Sequence, residues 1–366
     1  MSWGDGRTYV IAEAGSNHDG DLAQAEKLVD VAADAGADAV KFQLFTAAGL
    51  YPANCGPVDL GAGPQDFFEV LQKASLPAEW LAPLQERATD RGLDFLCSAF
   101  DEATTDVVAA LGIPVFKIAS PELTHLDLLR RTAAHGRPVI LSTGMASLGD
   151  IEEAVAVLVE AGATDVALLQ CTTAYPTPPE DANVAVVATL ASAFGVRAGL
   201  SDHTMDPVAA PMVTVAVGGS VIEKHVTLSR TLPGPDHPFA IEPAELTALV
   251  DGVREVEARD PADRLAHARS RLGDGVVDRL LGSPRKVVAP SEAEMALCDR
   301  RSLHALTDLA PGDVLGPDNV GILRGERNLR PGLHPRYAPV VFGSPVRRPV
   351  AYGDGIEWAD VLPGSD

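Results

Sequence analysis

The chain is poor in cysteine, in basic residues and in long apolar runs, and each shortage excludes something. Four cysteines, Cys55, Cys97, Cys171 and Cys298, stand among 366 residues without paired spacing. That usage fits a reduced, cytoplasmic protein. Lysine and arginine number 29 against 51 acidic residues, a formal net charge of −22. Such a surface speaks against nucleic acid or an acidic membrane as partner. The longest apolar run, residues 213–222, is interrupted by Gly218 and Gly219. It falls short of the roughly 20 residues needed to cross a bilayer. The first residues, MSWGDGRTYVIAEAG, lack the basic-then-apolar order of a secretory signal. The acidic balance leaves a puzzle, because an anionic substrate would need a locally basic pocket.

What is present is a regular alternation. Short β-branched or apolar runs at 9–14, 39–43, 95–98, 115–118, 138–142, 166–171, 196–200 and 221–225 read as strands. Ala- and Leu-rich amphipathic segments at 22–35, 77–91, 102–111, 126–135, 151–161, 184–194, 207–217 and 243–258 read as helices. Eight strand–helix units over about 260 residues match an α/β fold of the (β/α)8 TIM-barrel type, whereas a doubly wound sheet more often stops at five or six strands. Residues 46–65, rich in Gly and Pro, make a loop long enough to be a lid. The barrel domain is expected over 1–282, a linker over 283–300, and a small all-β module over 301–366 with strands at SLHAL, VGIL, APVVF and VRRPV.

The polar residues fall at the C-terminal ends of those strands: Glu13, Lys41 and Gln43, Ser98, Lys117 and Ser120, Ser142, Tyr175, Ser201 and His203, Glu223 and His225. In a closed barrel these ends share one mouth, so the residues describe a single pocket. Two imidazoles at the ends of adjacent parallel strands suit a divalent metal, although either alone is equally a hydrogen-bonded strand-end histidine. Lys41 and Lys117 are open to three readings: anion binder, Schiff-base nucleophile or snorkelling side chain. Ser98, Ser120, Ser142 and Ser201, each an ordinary turn serine by itself, converge with the lysines into a cage for phosphate or carboxylate. With the carboxylates Glu13, Glu223 and Asp236 beside them, the residues point to metal-assisted chemistry on a small phosphorylated acid.

At these residues the chain resembles the sialic acid (nonulosonate) synthase family. The matching strings are IAEAGSNHDG at 11–20, KFQ at 41–43, FKIASPEL at 116–123, LSTGM at 141–145, CTTAYPTP at 171–178, GLSDHT at 199–204, EKHVTL at 223–228 and PGPDH at 233–237. RRSLHALTDLAPGDVL at 300–315 resembles the SAF, or antifreeze-like, domain of the same enzymes. The resemblance implies condensation of phosphoenolpyruvate with the open-chain aldehyde of an N-acetylmannosamine-like sugar, giving a nine-carbon 2-keto acid and phosphate by C–O cleavage. It implies a divalent ion, most often Mn2+ with Mg2+ or Co2+ as alternatives, on His203 and His225. Glu13 would orient or deprotonate a reacting group, with Asp236 also in the catalytic set. Lys41, Ser98, Lys117, Ser120, Ser142 and Ser201 would hold phosphoenolpyruvate. Gln43, Thr173, Tyr175, Glu223 and Asp236 would meet the sugar. It further implies a homodimer in which one subunit's SAF domain caps the other's barrel and supplies an arginine, for which Arg330 is the best match and Arg327 the reserve. The rival readings are a Schiff-base aldolase using Lys117 or Lys224, and a carbohydrate-binding protein without catalysis.

Overall fold

The computed structural model describes residues 6–59, 63–325 and 328–362. Eight parallel strands close into a barrel: β1 (Tyr9–Gly15), β2 (Ala39–Leu44), β3 (Asp94–Ala99), β4 (Phe116–Ile118), β5 (Val139–Ser142), β6 (Val166–Cys171), β7 (Arg197–Asp202) and β8 (Val221–His225). Each strand pairs with its sequence neighbours, and β8 closes the ring on β1 with Glu13 opposite His225. The expected barrel is thus borne out. Helices follow each strand and start on side-chain caps where polar residues allow: Asp21 for Leu22–Asp34, Asp101 for Glu102–Ala110, Ser147 for Leu148–Glu160.

The two faces of the strands bury different partners. One face joins the helices in the main core, through residues such as Val10, Val40, Phe95, Leu141 and Leu168. The other face fills the barrel with a separate cluster: Tyr9, Ile11, Ala39, Leu96, Val115, Ile140, Ala167, Leu169 and Val221. Because strand side chains alternate, the next inward residue along each strand is the one two positions on. Those residues are Glu13, Lys41, Ser98, Lys117, Ser142, Cys171 and Glu223. On β7 the inward position below Ser201 is Gly199, where a Cβ would lie 2.0 Å from the Val221 carbonyl oxygen, so only glycine lets β7 and β8 approach there.

The segment after the second strand and the C-terminal module differ from expectation, and two further helices complete the barrel domain. The segment after β2 is built rather than structureless: Thr46 caps a short helix Ala47–Leu50, and Pro57–Asp59 pairs antiparallel with Pro64–Asp66. A helix Phe67–Ala74, capped by Asp66, then precedes the shorter-than-expected helix Leu81–Asp90. Residues 264–281 form two helices, Arg264–Leu272 and Asp274–Leu281, whose Ala268, Val277 and Leu280 join the barrel core. Among the described residues of the C-terminal module only Ser302–Ala305 and Val320–Leu323 form a ladder, while His304–Gly355, Leu309–Val350 and Val314–Pro345 are isolated bridges. APVVF is a helical turn, Ala338–Val341, because Pro339 near its start suits a first helical turn and has no N–H for a ladder. The module keeps its own core around Leu303, Leu315, Val341 and Ile356.

This module rests on the barrel mouth of its own chain through buried charge. Arg301, with a fully buried side chain, donates to Glu122 and to the carbonyls of Gly49 and Phe100. Arg324 pairs with the same Glu122 and, at 3.0 Å, with Asp299, which accepts from Tyr51 at 2.6 Å. The connecting segment is anchored too, since the Glu292 carboxylate accepts from the backbone N–H of Met145 and of Thr173.

Candidate active site

The floor of the mouth is a layer of paired charge. Lys41 Nζ lies 2.8 Å from Glu13 Oε2, 3.0 Å from Ser98 Oγ and 3.7 Å from Glu223 Oε2. Lys117 Nζ donates to Ser142 Oγ at 2.8 Å and to the Ile118 carbonyl at 3.0 Å, and stands 3.5 Å from Glu223 Oε1. Ser201 Oγ donates to that same Glu223 oxygen at 3.0 Å, and Gln43 Nε2 donates to Glu13 Oε1 at 2.6 Å. The lysines and serines read from the sequence as an anion cage are brought together, with the two ammonium groups facing two carboxylates rather than an open anion hole. Ser120 sits at its edge, where its Oγ accepts from Gly144 N at 2.9 Å. Thr173 is buried beside Gly144, where a Cβ would lie 2.2 Å from its Oγ1.

The two carboxylates are pushed in opposite directions. Burial and repulsion from Glu223 raise Glu13, against the pull of Lys41. Burial opposes ionisation of Glu223 as well, but Lys117 and Lys41 together outweigh it and hold that carboxyl below its ordinary value. Environments that push two neighbouring carboxyls apart in this way are able to divide acid–base roles between them. Burial also lowers Lys117.

One layer above stand the histidines, with ring centroids 5.6 Å apart. His203 shares its Nδ1 with the Thr172 carbonyl at 2.9 Å, which fixes that nitrogen as the donor and leaves Nε2 for a ligand. Burial, followed by the nearby cations, holds His225 well below the ordinary imidazole range. Its buried Nδ1 has no hydrogen-bond partner among the described residues, and Asp236 Oδ2 is 3.7 Å away. Tyr175 packs 4.3 Å from the His203 ring, and Phe239 packs 5.1 Å from the His225 ring. A neutral, unpartnered imidazole beside a second one with a fixed tautomer is a donor set that fits a divalent ion. Among the described residues no group of three or more His, Cys, Asp or Glu side chains gathers as a metal cage, so solvent or substrate would complete the coordination.

Above the histidines opens a cavity of about 650 Å³. Gln43, Tyr175, His225 and Asp236 line it, as expected, and so do Ser16, Tyr51, Asp299 and Arg324, which the sequence did not single out. The apolar side of the helix Phe67–Ala74 supplies another wall. Arg330 stands apart from this cavity. Its guanidinium is held by Asp360 at 2.9 Å, Glu357 at 3.3 Å and the Gly355 carbonyl at 3.0 Å. Arg327 lies outside the described residues. Arg324 is the arginine at the mouth, lying over the rings of Tyr51 and Phe100, with a buried Nε that has no hydrogen-bond partner among the described residues. The resemblance favoured Arg330, and only the burial of Glu122 and Asp299 shows why Arg324 is drawn inward. Lys224 is also absent from the mouth, because its ammonium pairs with Asp202 at 2.5 Å and with the Thr204 carbonyl at 2.7 Å.

A parallel barrel with lysines, carboxylates and paired histidines at its C-terminal mouth, closed by a small β-rich cap, is the architecture of a barrel enzyme acting on small anions and carbonyl compounds. The chain belongs to the NeuB family, whose match spans residues 28–261, and it carries a SAF domain at residues 300–362. It is 37% identical to the spore coat polysaccharide biosynthesis protein SpsE of Bacillus subtilis, over 98% of this chain and 94% of that protein. The crystal structure of that protein superposes with a TM-score of 0.81, covering 99% of this chain and 97% of the other. It is also 37% identical to the N,N'-diacetyllegionaminic acid synthase of Campylobacter jejuni, over 86% of this chain and 89% of that enzyme. The human N-acetylneuraminate-9-phosphate synthase is 31% identical over 87% of this chain and 83% of its own length.

Proposed function

We propose that the protein is a nonulosonic acid synthase, joining phosphoenolpyruvate to the open-chain aldehyde of an acylamino sugar with uptake of one water, which adds at carbon 2 as phosphate leaves, to give a nine-carbon 2-keto acid and phosphate. The observation that carries this is the stacking of the His203–His225 pair one layer above Lys41, Lys117, Glu13 and Glu223. His203 and His225 would hold a divalent ion, manganese first with magnesium or cobalt as alternatives, and such an ion supplies polarisation of a carbonyl oxygen. Lys41, Lys117 and the hydroxyls of Ser98, Ser120, Ser142 and Ser201 bind the enol phosphate, which answers how an acidic protein holds an anion. Glu13, braced by Gln43, holds or moves a proton at the reacting carbons. Tyr175, Asp236 and Gln43 line the acceptor's channel, with Thr173 and Glu223 supporting it from below. The unpartnered Nε–H of Arg324 takes the role expected of the cap's arginine, donating to the acceptor's acyl oxygen.

The cap sits on its own barrel within one chain, through the buried pairs of Arg301 and Arg324 with Glu122. We also propose a homodimer with exchanged caps. Mixing Glu13→Gln with Arg324→Ala restores activity only when a cap serves its partner's barrel; no recovery after subunit exchange rejects the exchange. The scarce cysteines, all buried with none in a disulfide, are in keeping with a cytoplasmic protein. Among the described residues no helix is long and apolar enough to cross a membrane.

A panel of sugars with phosphoenolpyruvate, read by phosphate release and product mass, tests the main reading. Sugar-dependent release with a product whose mass is that of the sugar plus pyruvic acid is expected, and release independent of sugar overturns it. The lowered Lys117 favours a second reading, a Schiff-base aldolase. Borohydride with pyruvate inactivates that enzyme and leaves the synthase active.

A further inference from the structure

Two motif residues remain outside the chemistry assigned above, Asp19 of GSNHDG and His237 of PGPDH, and they meet across 218 positions of sequence. His237 is fully buried, and its Nε2 lies 2.9 and 3.0 Å from the two carboxylate oxygens of Asp19. Its Nδ1 lies 2.7 Å from Thr227 Oγ1, which donates its own proton to the Ser229 carbonyl. Gln24 Nε2 steadies the outer oxygen of Asp19 at 2.7 Å. The pair is packed tightly: a Cβ on Gly234 would come within 2.8 Å of His237 Cδ2 and 2.9 Å of Asp19 Oδ1.

The neighbour of His237 is Asp236, and the pair decides where it points. A Cβ on Gly15 would sit 3.3 Å from Asp236 Oδ2, 3.4 Å from Glu13 Oε1 and 3.5 Å from Gln43 Nε2, so these three polar groups converge over one glycine. Residues 232–239 have no helix or strand to hold them. What joins them to the loop after β1 is side-chain bonding, His237 to Asp19 and Ser16 Oγ to Asp236 Oδ2 at 3.4 Å, with Asn17 Nδ2 gripping the Val226 carbonyl at 2.8 Å below.

We infer that Asp19 and His237 are positioning residues for the sugar: they clamp the PGPD turn onto the loop after β1 so that Asp236 is presented beside Glu13 and Gln43. The inference rests on the synthase reading and on Asp236 as a sugar-binding group. A clamp of this kind acts on one substrate only, because the enol phosphate is bound by strand-end groups that do not depend on the turn. A small misplacement of a binding group is enough to cost large factors in rate.

The test measures phosphate release while each substrate is varied in turn. Asp19 has φ +50°, a backbone glycine adopts freely, so Asp19→Gly removes the carboxylate without strain. Asp19→Asn keeps an acceptor oxygen and serves as the conservative rescue, and His237→Ala opens the clamp from the other side. Asp19→Gly and His237→Ala are expected to lower kcat/KM for the sugar by roughly ten- to a hundredfold, the range for loss of a supporting partner. KM for phosphoenolpyruvate stays within about twofold, Asp19→Asn recovers most of the loss, and adding Asp19→Gly to Asp236→Ala costs nothing further. Equal effects on both substrates, or losses that multiply with Asp236→Ala, overturn the inference alone. Wild-type protein that releases no phosphate with any sugar overturns the synthase reading and the inference with it. If His237→Ala is poorly folded, the Asp19 series decides.

Discussion

Lys41 Nζ lies 2.8 Å from Glu13 Oε2 at a depth where the two side chains are only 3% and 1% exposed. The cation is shared, because Glu223 stands 3.7 Å from the same ammonium. A buried ion pair contributes little to net stability, but breaking it strands a charge. Lys41→Met leaves two carboxylates facing each other across an apolar side chain. It should destabilise the barrel by roughly 3–5 kcal/mol in urea unfolding, and adding Glu13→Leu should recover much of that loss. A single variant as stable as the wild type would mean that the pair is not the counter-charge it is taken for.

The histidine pair carries a prediction that needs no turnover. Titration of Mn2+ followed by its electron paramagnetic resonance signal should show a site that His203→Ala or His225→Ala weakens by at least about 100-fold, the upper range for loss of an outer-shell partner. Chelator should abolish activity of the wild type and Mn2+ should restore it. Unchanged Mn2+ affinity in both variants would remove the metal assignment.

The barrel and its mouth were legible in the sequence because eight apolar runs alternate with helical segments and each run gives way to polar residues at its C-terminal end. Glu13, Lys41, Ser98, Lys117, Ser142 and Glu223 each sit two positions past an apolar filler of the barrel. Pairings across the chain were not legible. Glu223 reads as a spare carboxylate until the structure puts it between two lysines, and Lys224, one position on, turns to the opposite face and to Asp202. The cap was the least legible part. Short apolar runs between Pro and Gly look alike whether they become strands or turns, so APVVF and VRRPV read as strands, and the choice between Arg324 and Arg330 depends on carboxylates outside the local sequence.

Two buried histidines away from the mouth make stability depend on pH. Burial, and then the Arg301 charge, hold His125 down at about 3. Burial holds His304 down at about 4, with its Nδ1 bonded to the Gly353 carbonyl and its Nε2 beside Ser302 Oγ. Their folded values lie below the unfolded one of about 6.5, so unfolding takes up protons in the window between. Their contribution is complete above that value and is lost as pH falls towards 4 and 3. At pH 5 each should cost about 2 kcal/mol of stability relative to pH 7.5. His304→Gln should flatten the dependence of Tm on pH between 7 and 5, and an unchanged slope would show that His304 titrates normally.

Arg324 and Arg330 separate the two jobs a cap arginine can have. Arg324 lies over the rings of Tyr51 and Phe100, pairs with Glu122 and Asp299, lines the cavity, and has a buried Nε without a hydrogen-bond partner among the described residues. Arg330 spends its guanidinium inside the cap, on Asp360, Glu357 and Gly355. Arg324→Ala should therefore raise KM for the sugar by roughly tenfold or more, the value of a charge-assisted hydrogen bond of about 1.5–3 kcal/mol, while KM for phosphoenolpyruvate changes little. Arg330→Ala should leave the sugar's KM within about twofold and lower the Tm instead, because Asp360 is fully buried and would lose one of its cations. Arg348 still reaches Asp360, which limits that loss to the smaller end of the range for a broken buried pair. Reversed behaviour, with the sugar's KM following Arg330 and stability alone following Arg324, would return the acceptor-binding role to the arginine that the sequence first indicated.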